Sequence, residues 1–318
     1  MRDGQDIMQE YAPKVAKVLR AANTGGETIY QLFDDFLVTA LLTFSEVAAA
    51  KLRQVASLGE EDIAELVGKY LPGPDGIEAV RMLDRYSPYQ KDKLAEALAL
   101  LMASAVEGWA DVVGETYQLL EIGNPHAGQY FTPWPVAQFM AQSLGIGATV
   151  EQRVKEALTH PDNAWGQAAT LCSVLMRSKA EAWDYFTGTL IPAAAPYYKP
   201  VTVNDPACGS GIMFLAAAAS MPAAYTQQGL VQFSGTDIDQ TCVLMARLNM
   251  ALYGLNGKGL FYAMMESDEA LQTLAPQLLE RYRQAKAARE AGEAEAVAAI
   301  EVDLRKLKNE QLTQLQIF

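Results

Sequence analysis

The chain has 318 residues, half of them apolar, with a formal net charge of −13 and a mean hydropathy near zero. These values predict a globular protein with one large domain or two ordinary ones, and they exclude disordered, collagenous and disulfide-rich classes. The excess of carboxylates gives no electrostatic help to a chain that would have to hold a polyphosphate unaided.

The opening Met1-Arg2-Asp3-Gly4-Gln5-Asp6 lacks the apolar core of a signal peptide. The longest apolar runs, such as Gly211 to Met221, are too short to cross a bilayer. Cys172, Cys208 and Cys242 are widely spaced, and His126 and His160 are the only histidines, so no zinc or haem pattern is present. A cytoplasmic protein with reduced thiols is expected, and no membrane partner.

From Asp6 to about Leu120, apolar residues recur at helical spacing, as in Leu32, Phe33, Phe36, Leu37, Ala40, Leu41 and Phe44. This predicts a helical N-terminal domain over residues 1–122. Turns are expected at Asn23-Thr24-Gly25-Gly26 and Leu71-Pro72-Gly73-Pro74-Asp75-Gly76, and one long helix from Ser87 to Leu120, ending at Gly123-Asn124-Pro125. Further helices are expected at Val136–Leu144, Val150–Leu158 and Trp165–Arg177, with a loop over Ile191-Pro192-Ala193-Ala194-Ala195-Pro196. After Pro200 the period changes: strand Val201–Val203, helix Gly211–Met221, strand Val231–Ser234, helix Gln240–Tyr253, and a weak third strand at Gly259–Tyr262. The fold class is therefore α/β, with half of a doubly wound sheet in a domain over residues 123–268, interrupted by an insertion at about 145–198. Residues 269–318 read as a helical C-terminal tail, in which Leu304, Leu307, Leu312 and Leu315 form one apolar stripe. That stripe suits a helix folded back on its own domain or a partner-binding coiled coil.

Asn204-Asp205-Pro206-Ala207-Cys208-Gly209-Ser210-Gly211 joins the first strand to its helix. Glycines there let the backbone pass close to a ligand, and the helix start offers free N–H groups. A dinucleotide fingerprint would need a third glycine where Phe214 stands, and a phosphate loop would need Gly-Lys-Ser/Thr. An acidic residue ahead of the loop suits a ligand with an ammonium group, such as S-adenosylmethionine. Gly235-Thr236-Asp237-Ile238-Asp239 ends the second strand, where a carboxylate accepts both hydroxyls of a ribose. The plain alternative is that both aspartates cap the helix beginning at Gln240; Asp239 suits the cap and Asp237 the ribose.

Upstream lies Gly128-Gln129-Tyr130-Phe131-Thr132-Pro133. Together the three motifs resemble the N6-adenine DNA methyltransferases, and most closely the modification (methylation) subunits of type I restriction-modification systems, over roughly Gly123 to Tyr262. The resemblance implies a partial class I (Rossmann-like) S-adenosylmethionine-dependent methyltransferase sheet. It implies that Gln129, Tyr130, Phe131, Thr132 and Pro133 line the methionine end of the cofactor. Asp205, Ala207, Gly209 and Gly211 then lie under its amino acid part, Asp237 holds the ribose, and Ile238 packs on the adenine. Glu266 and Asp268 are the candidates for the adenine amino group, neither matching cleanly.

The family's catalytic signature, Asn or Asp followed by Pro-Pro and Tyr or Phe, hydrogen-bonds and stacks on a flipped adenine. It occurs nowhere in these residues, and no catalytic residue is assigned. The family's sheet order would leave the first strand as a free edge unless C-terminal helices, a strand from Tyr185–Tyr198 or another chain covered it. No Lys or Arg occurs from Ala95 to Gln152, and Val201 to Asn256 holds only Arg247. DNA contact is therefore expected through a complex. Two functions follow: one part of a split or multi-subunit adenine methyltransferase, inactive alone, or a degenerate module that binds the cofactor and regulates or interferes with restriction-modification through protein partners.

Overall fold

The computed structural model describes residues 2–55, 84–123 and 131–255, with the backbone alone over 45–55. These fall into two compact units, one from the described parts of residues 1–147 and 201–259, the other from residues 148–200.

In the first unit, α1 (Gly4–Ala22) starts on Asp3, whose carboxylate accepts the Gln5 N–H at 2.8 Å. Its Ile7, Met8, Val15, Leu19 and Ala22 recur at helical spacing and are buried. The second helix, α2 (Ile29–Val55), buries Leu32, Phe33, Phe36 and Leu37 in the same way. Next comes α3 (Pro88–Glu107), opened by a capping box in which Ser87 and Gln90 satisfy each other's backbone N–H, with Pro88 in the first turn. Helix α1 packs on α3 and on α4 (Val112–Leu119).

The single helix predicted from Ser87 to Leu120 is thus two. A Cβ at Gly108 would stand 3.0 Å from the Arg2 carbonyl oxygen and 3.1 Å from Ile7 Cδ1, so the chain leaves the helix where the N-terminus crosses it. Asp111 then restarts the helix by accepting the Gly114 N–H at 2.8 Å. Helix α5 (Trp134–Ser143) follows, starting two residues before the Val136 its pattern suggested, with Trp134 fully buried.

In the second unit, α6 (Ile146–Leu158) leads to α7 (Ala164–Cys172), capped by the buried Asn163. That amide accepts from Gly166 N at 2.7 Å and donates to the carbonyls of Ala157 and Ala193 at 2.8 and 2.9 Å. Then come α8 (Lys179–Tyr185), a π-helical turn at Phe186–Leu190, α9 (Ile191–Ala194) and a 3₁₀ turn at Ala195–Tyr197. The loop expected over Ile191–Pro196 is therefore helical. Pro192 and Pro196 each fall in the first turn of a short helical piece, where a missing N–H costs nothing. For the same reason Tyr185–Tyr198 supplies no strand to the sheet.

The chain returns to the first unit as β1 (Val201–Asp205), α10 (Ile212–Ala219), α11 (Ala223–Gln227), β2 (Val231–Gly235) and α12 (Gln240–Leu252). The strands are parallel, with Val201 beside Val231 and Asp205 beside Gly235. Phe233 on one face is buried against Phe214, ring centroids 5.8 Å apart, while Thr202, Asn204, Gln232 and Ser234 are exposed on the other. This partial Rossmann-like arrangement, mostly helical around a small parallel sheet, accords with the α/β class predicted from the periodicity. Among the described residues β1 pairs with β2 alone. Helix α12 packs on α2 and α4, and α10 on α5, so the helical and α/β segments share one unit.

The turn at Leu71–Gly76, the strand at Gly259–Tyr262, Glu266, Asp268 and the C-terminal helices lie outside the described residues. No helix among the described residues is long and apolar enough to cross a membrane.

Candidate functional site

Two loops leave the carboxyl ends of adjacent parallel strands, the usual place for ligands in open α/β sheets. They are zipped together by backbone bonds that continue the sheet: Thr236 N–H donates to Asp205 O at 3.1 Å and Cys208 N–H to Thr236 O at 3.0 Å. The Thr236 hydroxyl adds a bond to Pro206 O at 3.1 Å. Asp205 folds its own loop by accepting the Ala207 N–H at 3.0 Å.

Gly209 and Gly211 adopt φ of +52° and +85°, in the left-handed region that side chains disfavour. A Cβ on Gly211 would also stand 3.2 Å from Ala246 Cα, where α10 passes α12. At Gly235 a Cβ would lie 2.7 Å from Phe214 Cζ and 2.8 Å from Cys208 Cβ, so the second loop begins in tight contact with the first. Three glycines thus have separate reasons to be glycine.

Asp237 joins the loops: one carboxylate oxygen accepts Gly209 N–H at 2.8 Å and the other accepts Asp239 N–H at 3.0 Å. Each oxygen keeps lone-pair capacity, and the residue is half-buried. Asp239 caps α12, accepting the Thr241 N–H at 2.8 Å. Ile238 between them is 95% exposed, an apolar side chain offered to solvent at the loop tip.

Of the upstream motif, Gln129 and Tyr130 lie outside the described residues. Phe131 stacks edge-on against Tyr117 at 5.7 Å and faces the glycine loop, its ring 3.7 Å from where a Gly209 Cβ would stand. Beside Phe131, Thr132 and Pro133 opens a cleft of about 210 Å³ that also touches Asp111, Glu115 and Ile212. A shallower space of about 490 Å³ beside Arg20, Asn23 and Leu120 touches none of the motif residues.

The periodicity did not single out a second set of residues behind these loops. Asp111 is buried, accepts Asn249 Nδ2–H at 2.7 Å besides its cap bond, and shares a short hydrogen bond with the Ser210 hydroxyl. Burial, the largest cause, raises its pKa against the lowering effect of these bonds. On α2, Asp34 accepts from the Thr241 hydroxyl at 2.8 Å, and Tyr30 bonds the same hydroxyl. Asp34 is also raised, by burial first and then by the charges of Asp35 and Asp239. The signal that could have located Asp111 was Gly108 followed by Asp111-Val-Val-Gly114, a helix stop and an N-cap in succession.

The loop surroundings are rich in carboxylates, which favours a cationic ligand. Burial, with the charges of Asp237 and Asp205, pushes the Cys208 thiol up to about 11; burial, with Asp237 and Asp239, pushes Cys242 up to about 12. Neither thiol is a nucleophile at neutral pH.

Residues 189–275 match the family model described as N-6 DNA Methylase, a span that includes both loops but not Gly128–Pro133. No curated protein matches the chain. Among solved structures, the type I restriction-modification system methyltransferase subunit from Streptococcus thermophilus is similar, with 17% identity and a TM-score of 0.30 over 80% of this chain. The present chain spans 57% of that subunit's length.

Proposed function

We propose that the chain is the S-adenosylmethionine-binding portion of a DNA adenine N6-methyltransferase whose catalytic turn lies outside these residues. The observation that carries this reading is the hydrogen bond from Gly209 N–H to Asp237, which holds a glycine loop and a carboxylate loop side by side at the ends of parallel strands. The family match over residues 189–275 supports it.

The residues present suit the cofactor. The space between Gly209 and Phe131 is one that a side chain would fill. In this reading Asp205 takes the ammonium, and the remaining lone pairs of Asp237 take the ribose hydroxyls. Ile238 offers its exposed side chain to the adenine, and Ala207, Gly209 and Gly211 pass under the amino acid part. Phe131, Thr132 and Pro133 take the methionine end, beside the cleft they line. The cofactor supplies an electrophilic methyl group on a sulfonium, whose positive charge the surrounding carboxylates favour. The residues described here bind and orient; the hydrogen bonds that make the adenine amine nucleophilic come from outside them. DNA is held by the complex, since the α/β segment carries Arg247 as its one basic residue.

The test is calorimetric titration with S-adenosylmethionine, followed by transfer of tritiated methyl groups to unmethylated DNA. Binding without transfer is expected for this chain alone, with transfer appearing when a polypeptide bearing Asn-Pro-Pro-Tyr or Asn-Pro-Pro-Phe is added. Transfer by this chain alone would overturn the split-site reading. Binding with no transfer in any such complex would favour a regulatory module acting through protein partners, the reading suggested by the lack of that motif in these residues.

A further inference from the structure

Ser210 lies between the two glycines of the first loop, yet its side chain turns inward and is fully buried. Its hydroxyl bonds the Asp111 carboxyl, and its carbonyl accepts Asn249 Nδ2–H at 2.8 Å. The same Asn249 amide donates to Asp111 at 2.7 Å, closing a triangle between the helical segment, the loop and α12. Asn249 Oδ1 is buried without a partner among the described residues, so this amide is oriented by the two acceptors and not by its oxygen. The start of α4 fits tightly over the triangle: a Cβ on Gly114 would stand 2.6 Å from Ser210 Oγ.

We infer that Asp111 and Asn249 are positioning residues for the cofactor loop, acting through Ser210 to hold Gly209 and Gly211 in their left-handed conformations before the ligand arrives. This rests on the proposed binding of S-adenosylmethionine. The physical argument is preorganisation. A loop with glycines on both sides of one residue has many alternative conformations, and a ligand that must order it loses affinity. Anchoring the central residue by both its hydroxyl and its carbonyl removes those alternatives without touching the ligand. The anchor works from behind, because Asp111 reaches the loop from the helical segment, 99 positions earlier in the chain.

Ser210→Ala removes the hydroxyl half of the anchor and leaves the carbonyl bond to Asn249 and the α4 cap at Asp111 intact. Losing one buried hydrogen bond from the loop should weaken S-adenosylmethionine binding about tenfold. It should also speed amide hydrogen exchange in the peptide over residues 205–212, with the rest of the chain unchanged below its melting range. Asp111→Ala should do the same with an added loss of stability, whereas Asp111→Asn, which can accept from Gly114 and Asn249 and bond the hydroxyl, should restore affinity to within about threefold of the parent. A parent protein that binds while Ser210→Ala binds equally well overturns the positioning role and leaves the cofactor reading standing. Failure of Asp111→Asn to bind better than Asp111→Ala overturns it too. A parent protein that does not bind S-adenosylmethionine overturns the cofactor reading, and the positioning role with it.

Discussion

Gly211→Ala separates two costs that the structure places on one residue. Its φ of +85° carries the left-handed penalty of an L side chain, about 1–2 kcal/mol. Its Cβ would add contacts of 3.2 Å to Ala246 Cα and 3.3 Å to Phe214 Cδ2, and overpacking of this kind costs about 1–3 kcal/mol. The sum, about 2–5 kcal/mol, corresponds to a fall of about 4–20 °C in the melting of a unit this size. Two comparisons isolate the parts. Gly25 has φ +98° with nothing within 4 Å, so Gly25→Ala should show the conformational cost alone. Gly235 needs no left-handed backbone but would meet Phe214 Cζ at 2.7 Å, so Gly235→Ala should show the crowding alone. The assay is urea denaturation followed by circular dichroism, with calorimetric Tm alongside. If Gly211→Ala is no less stable than Gly25→Ala, helices α10 and α12 do not meet at that glycine and the account of the loop fails.

Asp237→Ala should weaken S-adenosylmethionine binding by at least about tenfold, since it removes both the ribose acceptor and the Gly209 bond; an unchanged calorimetric affinity would refute the assignment. Burial alone, apart from a lowering bond to Tyr185, pushes Cys172 up to about 11, so all three thiols should resist iodoacetamide at pH 7.5 in the folded protein and react on denaturation. Rapid alkylation of Cys208 in native protein would contradict its burial. The raised Asp111 pKa has a definite sign: above the ordinary carboxyl value of about 3.9, the unfolded chain loses this proton first, so stability falls as pH rises toward the folded pKa. Urea midpoints of Asp111→Asn relative to the parent should therefore improve from pH 4 upward and then level off. A flat difference across pH 4–8 would mean that Asp111 ionises normally in its buried place.

Local pattern was enough to find β1, β2, α10 and α12, because a strand of period two followed by a glycine turn and an apolar helix is written within about twenty residues. Asp239 was legible as a cap for the same reason: the N–H that its carboxylate accepts is two residues away. The break at Gly108 and the helical course of Ile191–Tyr197 were not. In the first case the cause is contact with Arg2 and Ile7 at the other end of the segment. In the second, two prolines that read as a loop sit where a helix tolerates them.

The sequence by itself determined the chemistry on offer: glycines at 209 and 211, carboxylates at 205 and 237, and a negative chain with few cations near them. Residue identity and short spacing carry that information, since each turn closes on its own neighbours. Only the tertiary structure decided that Asp237 spans to the Gly209 N–H and that Asp111, Ser210 and Asn249 share one buried site. Those bonds join residues 28 to 138 positions apart. Burying their polar groups is tolerated when the partners arrive together, which depends on the packing of α12 against α4 and not on any local signal.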